Sequence, residues 1–275
     1  MSAPQKLTFA SAVNDRELFA SNFLASPIFA GSHPHQIIVQ NGFLSAAKAY
    51  NDAIDRSENE IIVFAHQDMV FPESWLADLE RALNNLDHTD PNWGVLGCFG
   101  ETADARGRGH VYMPGLGIVG SPSENPQPVQ TLDEIVLIIK KSSGLRFDPN
   151  LPHFHFYGAD ICLRANRLGR TSYAISAFCL HNTQFNLVLP REFYACYRHI
   201  KREWRAQLPI QTTCVRVTKY DLDMMKRRIR EFYLSRFRGV RVGAVRSKSG
   251  RQLLAEFGLR NNLALESGIR GDDTQ

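Results

Sequence analysis

The segment His66-Gln67-Asp68 has the side chains best suited to chemistry, because it directly follows the apolar run 61–65. A short apolar run of this kind predicts a buried strand. Ligands of open α/β sheets bind where the carboxyl ends of the strands meet the loops. Asp68 is therefore a candidate to hold a cation or a substrate. The alternative is that Asp68 only caps the helix that follows it, as aspartate often does.

His181 follows a second predicted strand and precedes Asn182. A carboxylate and an imidazole suit Mn²⁺ or Mg²⁺ with open coordination positions, whereas a closed zinc site would need more nitrogen or sulfur ligands. Asp68 and His181 lie 113 positions apart, so their convergence in space is a hypothesis about the fold. The alternative for His181 is a hydrogen-bonded histidine at a strand end.

Strand-like and helix-like segments alternate over the first two-thirds of the chain, which favours an α/β fold around a largely parallel sheet. The expected strands span 6–13, 36–39, 60–65, 94–99, 129–140, 172–180 and 212–217. One helix is expected after Asn14-Asp15 and another after Pro72, where leucines form a stripe along one face. A helix over 46–56 is expected to be capped by Ser45. The other expected helices span 160–168, 190–204 and 221–238. The segment 100–128, rich in glycine and proline, predicts an irregular loop, either a substrate-facing lid or a plain surface excursion.

Composition indicates an ordinary globular protein, with 275 residues and 44% hydrophobic content. The sequence has no apolar stretch of the roughly 20 residues that span a bilayer, and its N-terminus lacks the apolar core of a signal peptide. A cytoplasmic location is therefore expected.

Five scattered cysteines without a Cys-x-x-Cys pair favour reduced thiols over disulfides or a zinc knuckle.

Positive charge is concentrated between residues 226 and 251, where ten lysines or arginines accompany a single acid, Glu231. Such a stripe can meet the phosphates of a membrane, a nucleic acid or an anionic acceptor, and a solvated helix face is the alternative. We expect no nucleic acid partner, but association with the inner membrane surface fits the charge. The sequence thus predicts a first domain over 1–188 and a helical, basic extension over 189–275 with a loosely ordered tail.

The segments 6–15, 45–54 and 62–68, in that order, resemble the nucleotide-binding half of family-2-like glycosyltransferases with the GT-A fold. The segments 131–134, 145–148 and 153–165, followed by His181, resemble the acceptor half of that family. The resemblance covers about residues 6–185. It implies a GT-A-like three-layer α/β sandwich with a mostly parallel central sheet.

The activity that this resemblance implies is transfer of a sugar, with inversion, from a nucleotide-sugar donor to a hydroxyl of a glycan, lipid-linked or protein acceptor. A divalent ion, Mn²⁺ or Mg²⁺, would neutralise the charge of the departing diphosphate. His66-Gln67-Asp68 stands where the family has an Asp-x-Asp motif, so Asp68 matches the last carboxylate and His66 replaces the first. His181 matches a late histidine that completes the metal site in some relatives.

The resemblance also implies further contacts. The residues at positions where relatives contact the nucleotide are Asn14, Asp15, Asn41, Asn51 and Gln67. Each is also a residue type that is common in turns and helix caps. For each residue singly, a turn or cap role is at least as well supported as contact with the nucleotide.

The general base is harder to place. At the position where relatives have the carboxylate that acts as the base, this chain has Gly158. Asp160 is the nearest candidate, with Asp133 and His155 behind it. The alternative for Asp160 is that it is only the N-terminal acid that favours the helix dipole. Arg164, one helical turn later, can also form a purely structural pair with it.

Two rival functions follow from the same features. The glycine at position 158 and the altered Asp-x-Asp motif fit a catalytically weak module that binds nucleotide sugars or carbohydrate. The basic stripe of the extension fits a scaffold protein.

Overall fold

The computed structural model describes residues 5–183, 188–238 and 249–258, which form a mixed α/β architecture. The described strands are β1 (Leu7–Ala12), β2 (Gln36–Gln40), β3 (Ile61–Ala65), β4 (Met69–Val70), β5 (Leu96–Gly97), β6 (Phe99–Glu101), β7 (Gly107–Met113), β8 (Gly117–Ser121), β9 (Gln127–Val129), β10 (Thr131–Leu132), β11 (Val136–Lys140), β12 (Ser172–Ala174), β13 (Cys179–His181), β14 (Ile210–Gln211) and β15 (Arg216–Val217). The described helices are α1 (Arg16–Ser21), α2 (Ala46–Arg56), α3 (Trp75–Thr89), α4 (Tyr157–Arg167), α5 (Arg191–Glu203), α6 (Leu222–Phe237) and α7 (Gly250–Glu256).

The central sheet has seven strands in the order β2-β1-β3-β11-β5-β12-β9. Five of them point the same way, and β11 and β9 run against the rest, so the sheet is mostly parallel. All five residues of β3 are buried, as expected for a strand that is covered on both faces. The coarse α/β prediction is confirmed, and the finer three-layer GT-A arrangement stays a prediction.

Hydrophobic clusters lie against both faces of this sheet. Because side chains alternate along a strand, Ile62 and Phe64 of β3 enter one cluster together with α2, α4 and α5. Ile61 and Val63 enter the other, which includes α1 and most of the leucine stripe of α3. The end of β3 is therefore held firmly from both sides, and this is the end that leads into His66.

Helix starts follow the caps expected from the sequence. Ser45 accepts a hydrogen bond from the backbone N–H of Lys48 at 3.4 Å, and α2 spans the predicted 46–56. Asp15 caps α1 in the same way through Leu18, at 2.9 Å. These caps supply acceptors for N–H groups that the first helical turn leaves unpaired.

Several predicted single strands are wrong, because the chain leaves the central sheet to build a second one. The segments 94–99, 129–140 and 172–180 are each divided between strands of the two sheets. The second sheet runs β10-β6-β7-β13-β4, with β8 paired to β7. The segment 212–217 is likewise not one strand but part of the small β14–β15 hairpin.

The predicted irregular loop over 100–128 is also wrong, since it contains β7, β8 and β9. Gly100, Gly109 and Gly120 serve close backbone approach within the sheet. A Cβ atom at Gly109, where φ is +101°, would lie 2.1 Å from the carbonyl oxygen of Cys98. Strands that depend on such glycines lack the alternating side-chain pattern by which strands are recognised in a sequence.

Among the described residues after 188, α5 and α6 match the predicted helices 190–204 and 221–238 closely. Residues of α5 belong to the same hydrophobic cluster as α2 and α4. The boundary between the two predicted domains stays a prediction. Within the described ranges, none of the helices combines the length and the apolar character needed to cross a bilayer.

The tail predicted to be loosely ordered falls mostly outside the described residues, at 239–248 and 259–275. Between these ranges α7 begins with a capping box formed by Ser249 and Gln252. Leu253 and Leu254 of α7 are buried against Val70 of β4 and Leu180 of β13. This helix is a packed element that the sequence prediction missed. The five cysteines form no disulfide within the described residues; Cys214 is exposed and the other four are buried.

Candidate metal and donor site

The convergence of Asp68 and His181 is a consequence of strand pairing. Asp68 directly precedes β4, and His181 is the last residue of β13. These two strands pair antiparallel, with His181 opposite Met69. The ladder is extended by a 2.9 Å hydrogen bond from the backbone N–H of Asn182 to the carbonyl oxygen of Asp68. The two predicted metal ligands therefore lie side by side although they are distant in the sequence.

His66 joins these two residues in the structure. One ligand atom from each of His66, Asp68 and His181 can be chosen so that all lie within 4.8 Å of one another. Nε2 of His181 lies 3.5 Å from Nδ1 of His66 and 3.3 Å from Oδ1 of Asp68. By the family resemblance, His66 only replaces the first acid of the Asp-x-Asp motif. The structure gives it a place in a potential three-ligand set of two nitrogens and one oxygen.

Tyr157, the first residue of α4, orients the His66 ring. The Tyr157 hydroxyl donates to the carbonyl oxygen of Glu134 at 3.0 Å and lies 2.9 Å from Nε2 of His66. With its single proton in the bond to Glu134, the hydroxyl would accept from Nε2–H of His66. The neutral ring then has its lone pair on Nδ1, which faces His181. Fixing the tautomer of a histidine through its second nitrogen is typical of metal ligands.

The charges of the cluster are strongly tuned by burial and by one another. Burial raises the pKa of Asp68, but the charge and hydrogen bonding of His181, together with the charge of His66 and a backbone hydrogen bond, outweigh it and bring that pKa to about 2. Burial lowers the pKa of His181, yet the Asp68 carboxylate leaves it raised overall. Burial and then the charge of His181 lower the pKa of His66. The site thus combines an ionised carboxylate with a neutral imidazole.

A cation fits this group of residues. Oδ2 of Asp68 accepts the hydroxyl of Thr183. Oδ1 is buried and, among the described residues, has no hydrogen-bond donor of acceptable geometry, only the ion-pair contact with His181. A buried carboxylate oxygen without a donor is unfavourable unless a positive charge compensates it. A divalent ion bound by His66, Asp68 and His181 would supply that charge.

Three of the predicted nucleotide contacts are gathered beside this cluster. Oε1 of Gln67 accepts from the backbone N–H groups of Asn14 at 3.0 Å and Asp15 at 3.1 Å, and its Nε2 donates to Oδ1 of Asn14 at 2.6 Å. The network joins the carboxyl ends of β1 and β3. Asp15 also has the helix-cap role that the sequence offered as the alternative.

The remaining two predicted contacts lie elsewhere. Asn41 is exposed after β2. The side-chain amide of Asn51 makes two hydrogen bonds to the backbone of Phe147, at 2.9 and 3.0 Å. That pairing holds the 145–148 segment on α2, which is the structural alternative for Asn51.

Asp133 and His155, both predicted as catalytic, line one small cavity of about 60 Å³ together with Glu134. The backbone N–H of His66 donates to the carbonyl oxygen of Ile135 at 3.1 Å, and the Tyr157 hydroxyl contacts both the His66 ring and the backbone carbonyl of Glu134. The segment that lines the cavity therefore adjoins His66. Phe156, also in its wall, is held at a φ of +65°, a conformation that is costly for a bulky residue and often found at functional sites. Burial, followed by the charge of His66, lowers the pKa of His155 to about 4.

Glu134 is a potential functional residue that the sequence does not single out. The signal that could have found it is its position directly after Asp133, since two adjacent acids lie within the predicted strand 129–140. Burial first, and then the charge of Asp133, raise its pKa well above the usual value of 4.5. The backbone N–H groups of residues 156–158 at the start of α4 oppose that rise. A carboxylate with a raised pKa at a helix N-terminus is typical of groups that exchange protons.

Gly158 explains how Glu134 comes to lie there. A Cβ atom at position 158 would lie 2.7 Å from the carbonyl oxygen of Leu132 and 3.1 Å from Cγ of Glu134. No side chain fits at 158 without displacing this segment. The space beside the position that the resemblance assigns to the base is filled instead by the Glu134 carboxylate.

Asp160 lies in the core between α4 and α5. It has no exposed surface, and its two oxygens are bonded to Nε of Arg164 at 2.7 Å and to Nε1 of Trp204 at 2.8 Å. Burial raises its pKa, and Arg164 opposes that rise. With both oxygens bonded inside the core, the geometry favours the structural pair with Arg164 over the catalytic role.

Comparisons with known proteins give distant similarities. No family model matches the chain. A similar curated protein is described as "ATP synthase subunits region ORF 6" of Fuscovulum blasticum, 27% identical over 169 residues. That match takes in 58% of this chain and 66% of the relative, so the chain spans just under two thirds of the relative's length.

Two solved structures share part of the shape. A197 from STIV has a TM-score of 0.39 at 14% identity, over 63% of this chain and 82% of that one. The mannosyltransferase PcManGT from Pyrobaculum calidifontis, in complex with GDP-Man and Mn²⁺, has a TM-score of 0.45 at 14% identity, over 75% of this chain and 65% of that one. Both TM-scores lie below 0.5, so neither likeness carries weight for the fold or the function.

The role of Asp160 can be tested by Asp160→Asn, with Asp52→Asn as the matched control. Both acids pair with an arginine four residues later, but Asp52 does so at the surface. We expect Asp160→Asn to lower the free energy of unfolding by about 2–3 kcal/mol, because Arg164 loses a buried partner, and Asp52→Asn by less than about 1 kcal/mol. Urea denaturation measures both. Equal stabilities would contradict the structural assignment of Asp160.

The orientation of His66 is tested by Tyr157→Phe. We expect this change to weaken Mn²⁺ binding by about 10- to 100-fold, because the hydroxyl that fixes the His66 tautomer is lost. Tyr173→Phe is the control, since it removes a tyrosine hydroxyl bonded to Asp90 rather than to a site residue. Isothermal titration calorimetry compares the two dissociation constants. An unchanged constant in Tyr157→Phe would remove Tyr157 from the site.

Proposed function

We propose that the protein is a metal-dependent glycosyltransferase that moves a sugar from a nucleotide-sugar donor to an acceptor hydroxyl with inversion. The observation that carries this proposal is the convergence of His66, Asp68 and His181 next to a cavity lined by the neighbouring carboxylates of Asp133 and Glu134. These residues belong to the segments through which the sequence resembles the GT-A family. Cation binding and proton transfer are the two tasks that such a reaction gives to side chains.

The ligand chemistry supports Mn²⁺ over Mg²⁺. Mg²⁺ prefers oxygen ligands, whereas imidazole nitrogen is well suited to transition metals. Two imidazoles and one carboxylate leave coordination positions open for donor phosphates. When bound, the ion would neutralise charge on the leaving diphosphate. The Gln67 network with Asn14 and Asp15 holds the loop after β1 against this edge, where a nucleotide would lie.

Glu134 is the side chain to which we assign the general base. A base works best when its pKa lies near the working pH. The pKa of His155, at about 4, leaves it a weak base, and Asp160 is enclosed in the core. Glu134 lines the cavity, its pKa is raised, and its carboxylate fills the space beside Gly158. In a single displacement, its ionised carboxylate would accept the proton of the acceptor hydroxyl as that oxygen bonds to the anomeric carbon and the nucleoside diphosphate leaves.

The donor site is tested by thermal-shift measurements with a panel of nucleotide sugars, with and without Mn²⁺. We expect at least one donor to raise the melting temperature only with Mn²⁺, since a ligand that binds the native state alone must stabilise it. Asp68→Asn should abolish that shift. Asp104→Asn, at an exposed ion pair with Arg106, should leave it unchanged. Absence of a metal-dependent shift with every donor would overturn the assigned donor site.

The base is tested by comparing Glu134→Gln with Asp133→Asn on the donor found in that screen. We expect Glu134→Gln to lower sugar transfer or donor hydrolysis by about 10²- to 10⁴-fold while donor affinity is kept. A larger loss in Asp133→Asn than in Glu134→Gln would move the base to Asp133. Donor binding by the wild type without turnover on a broad acceptor panel would favour the binding module instead.

A further inference from the structure

The outward face of α6 exposes an apolar stripe that Lys226 and Arg236 interrupt. The large side chains on it, each between 52% and 68% exposed, are Leu222, Met225, Ile229, Phe232, Tyr233 and Phe237. Successive members are mostly three or four residues apart, so the helical period places them on one side of the helix. Exposed apolar residues are unremarkable singly, but a contiguous stripe of them marks an interaction surface.

The opposite face of α6 fixes the helix on the protein. Met224 is buried in the hydrophobic cluster that includes α5. Glu231 is buried as well; it accepts the hydroxyl of Tyr194 and pairs with Nε of Arg227 at 2.9 Å. Turning the stripe inward would break these contacts and expose Met224. The stripe therefore points away from the protein.

Positive charge surrounds the stripe. By the helical period, Lys226 and Arg236 project from the same side as the stripe, and Arg228 and Arg230 border it. All four are exposed. The first turn of α6 has one exposed acid, Asp223. From residue 224 to 238 every exposed charged side chain is cationic, since Glu231 is buried. Long cationic side chains can extend their charges to headgroups while their stems lie along apolar surface.

We propose that α6 lies in the headgroup region of an anionic membrane, with its apolar stripe towards the acyl chains. A helix with one apolar face flanked by lysine and arginine binds this way, through apolar burial and attraction to anionic lipid. A second copy of the chain would bring the same cations against each other, which is unfavourable. A nucleic acid would satisfy the cations but leave the apolar stripe in water. This surface is independent of the proposed sugar transfer.

The experiment is flotation of the full chain with phosphatidylcholine vesicles, with and without phosphatidylglycerol. We expect binding only to the anionic vesicles, weakened by added salt because the attraction is screened. Ile229→Ser combined with Phe232→Ser should weaken binding at least about tenfold, because two apolar side chains leave the lipid. Arg228→Gln combined with Arg230→Gln should also weaken it. Leu168→Ser combined with Ile118→Ser, at exposed apolar positions elsewhere, should have no effect.

The substituted residues are exposed, so the melting temperatures of all variants should match that of the wild type, which separates lost binding from lost folding. Equal binding by the Ile229 and Phe232 variant, or equal binding to neutral vesicles, would overturn the proposal. A dimer in sedimentation that dissociates in this variant, without vesicle binding, would instead make the stripe an interface between copies. Salt-sensitive binding to nucleic acid but not to vesicles would overturn it as well.

Discussion

The buried carboxylate of Asp68 is the constraint on which the rest of the site depends. Only 7% of the residue is exposed, and an ionised carboxylate at that depth is unfavourable without nearby positive charge or hydrogen-bond donors. A protonated His181 can supply the charge when no cation is bound, and a cation ligated by the neutral ring would replace it; Thr183 supplies the hydroxyl. His181 and Thr183 lie beside Asp68 because β13 pairs with β4. The central sheet ends at the carboxylate, and the second sheet supplies its counter-charge. Separating the two sheets would leave a buried charge without a partner.

The start of α4 is the second organising element. Tyr157 there orients His66, while the neighbouring backbone N–H groups face Glu134. A helix N-terminus favours negative charge, which offsets part of the burial that raises the pKa of Glu134. The site thus contains two carboxyl groups tuned in opposite directions, with the pKa of Asp68 at about 2 and that of Glu134 well above 4.5. Environments that move the pKa values of two carboxyl groups apart also give the groups different roles. One group stays ionised beside a cation, and the other exchanges protons.

The sequence was sufficient to predict an element or a site residue where local signals and burial agree. Ser45 predicts the start of α2, and the run 61–65 predicts β3 with Asp68 beyond its end. Prediction failed where a residue's role depends on a distant segment. His66 becomes a candidate ligand only through Tyr157, and Glu134 approaches α4 only because Gly158 leaves the space. Asp160 has the residue type and position of a base, but Trp204, 44 residues later, encloses it in the core. No local pattern contains that information.

The contacts that hold α6 also determine how the candidate site would face a membrane. Glu231 of α6 accepts from Tyr194 of α5, Trp204 after α5 donates to Asp160 of α4, and Tyr157 of α4 contacts His66. Such a series of packed elements is not evidence of energetic coupling. It does give α6 and the candidate site one relative orientation in the structure, because each contact is buried or partly buried and directional. Suppose that the stripe of α6 lies in the plane of a membrane. The fold, rather than a flexible linker, then sets the height and the direction of the cavity at Glu134 relative to that plane. An acceptor anchored in the same membrane would meet the cavity at a constant distance, which lowers the orientational cost of bringing two reactants together.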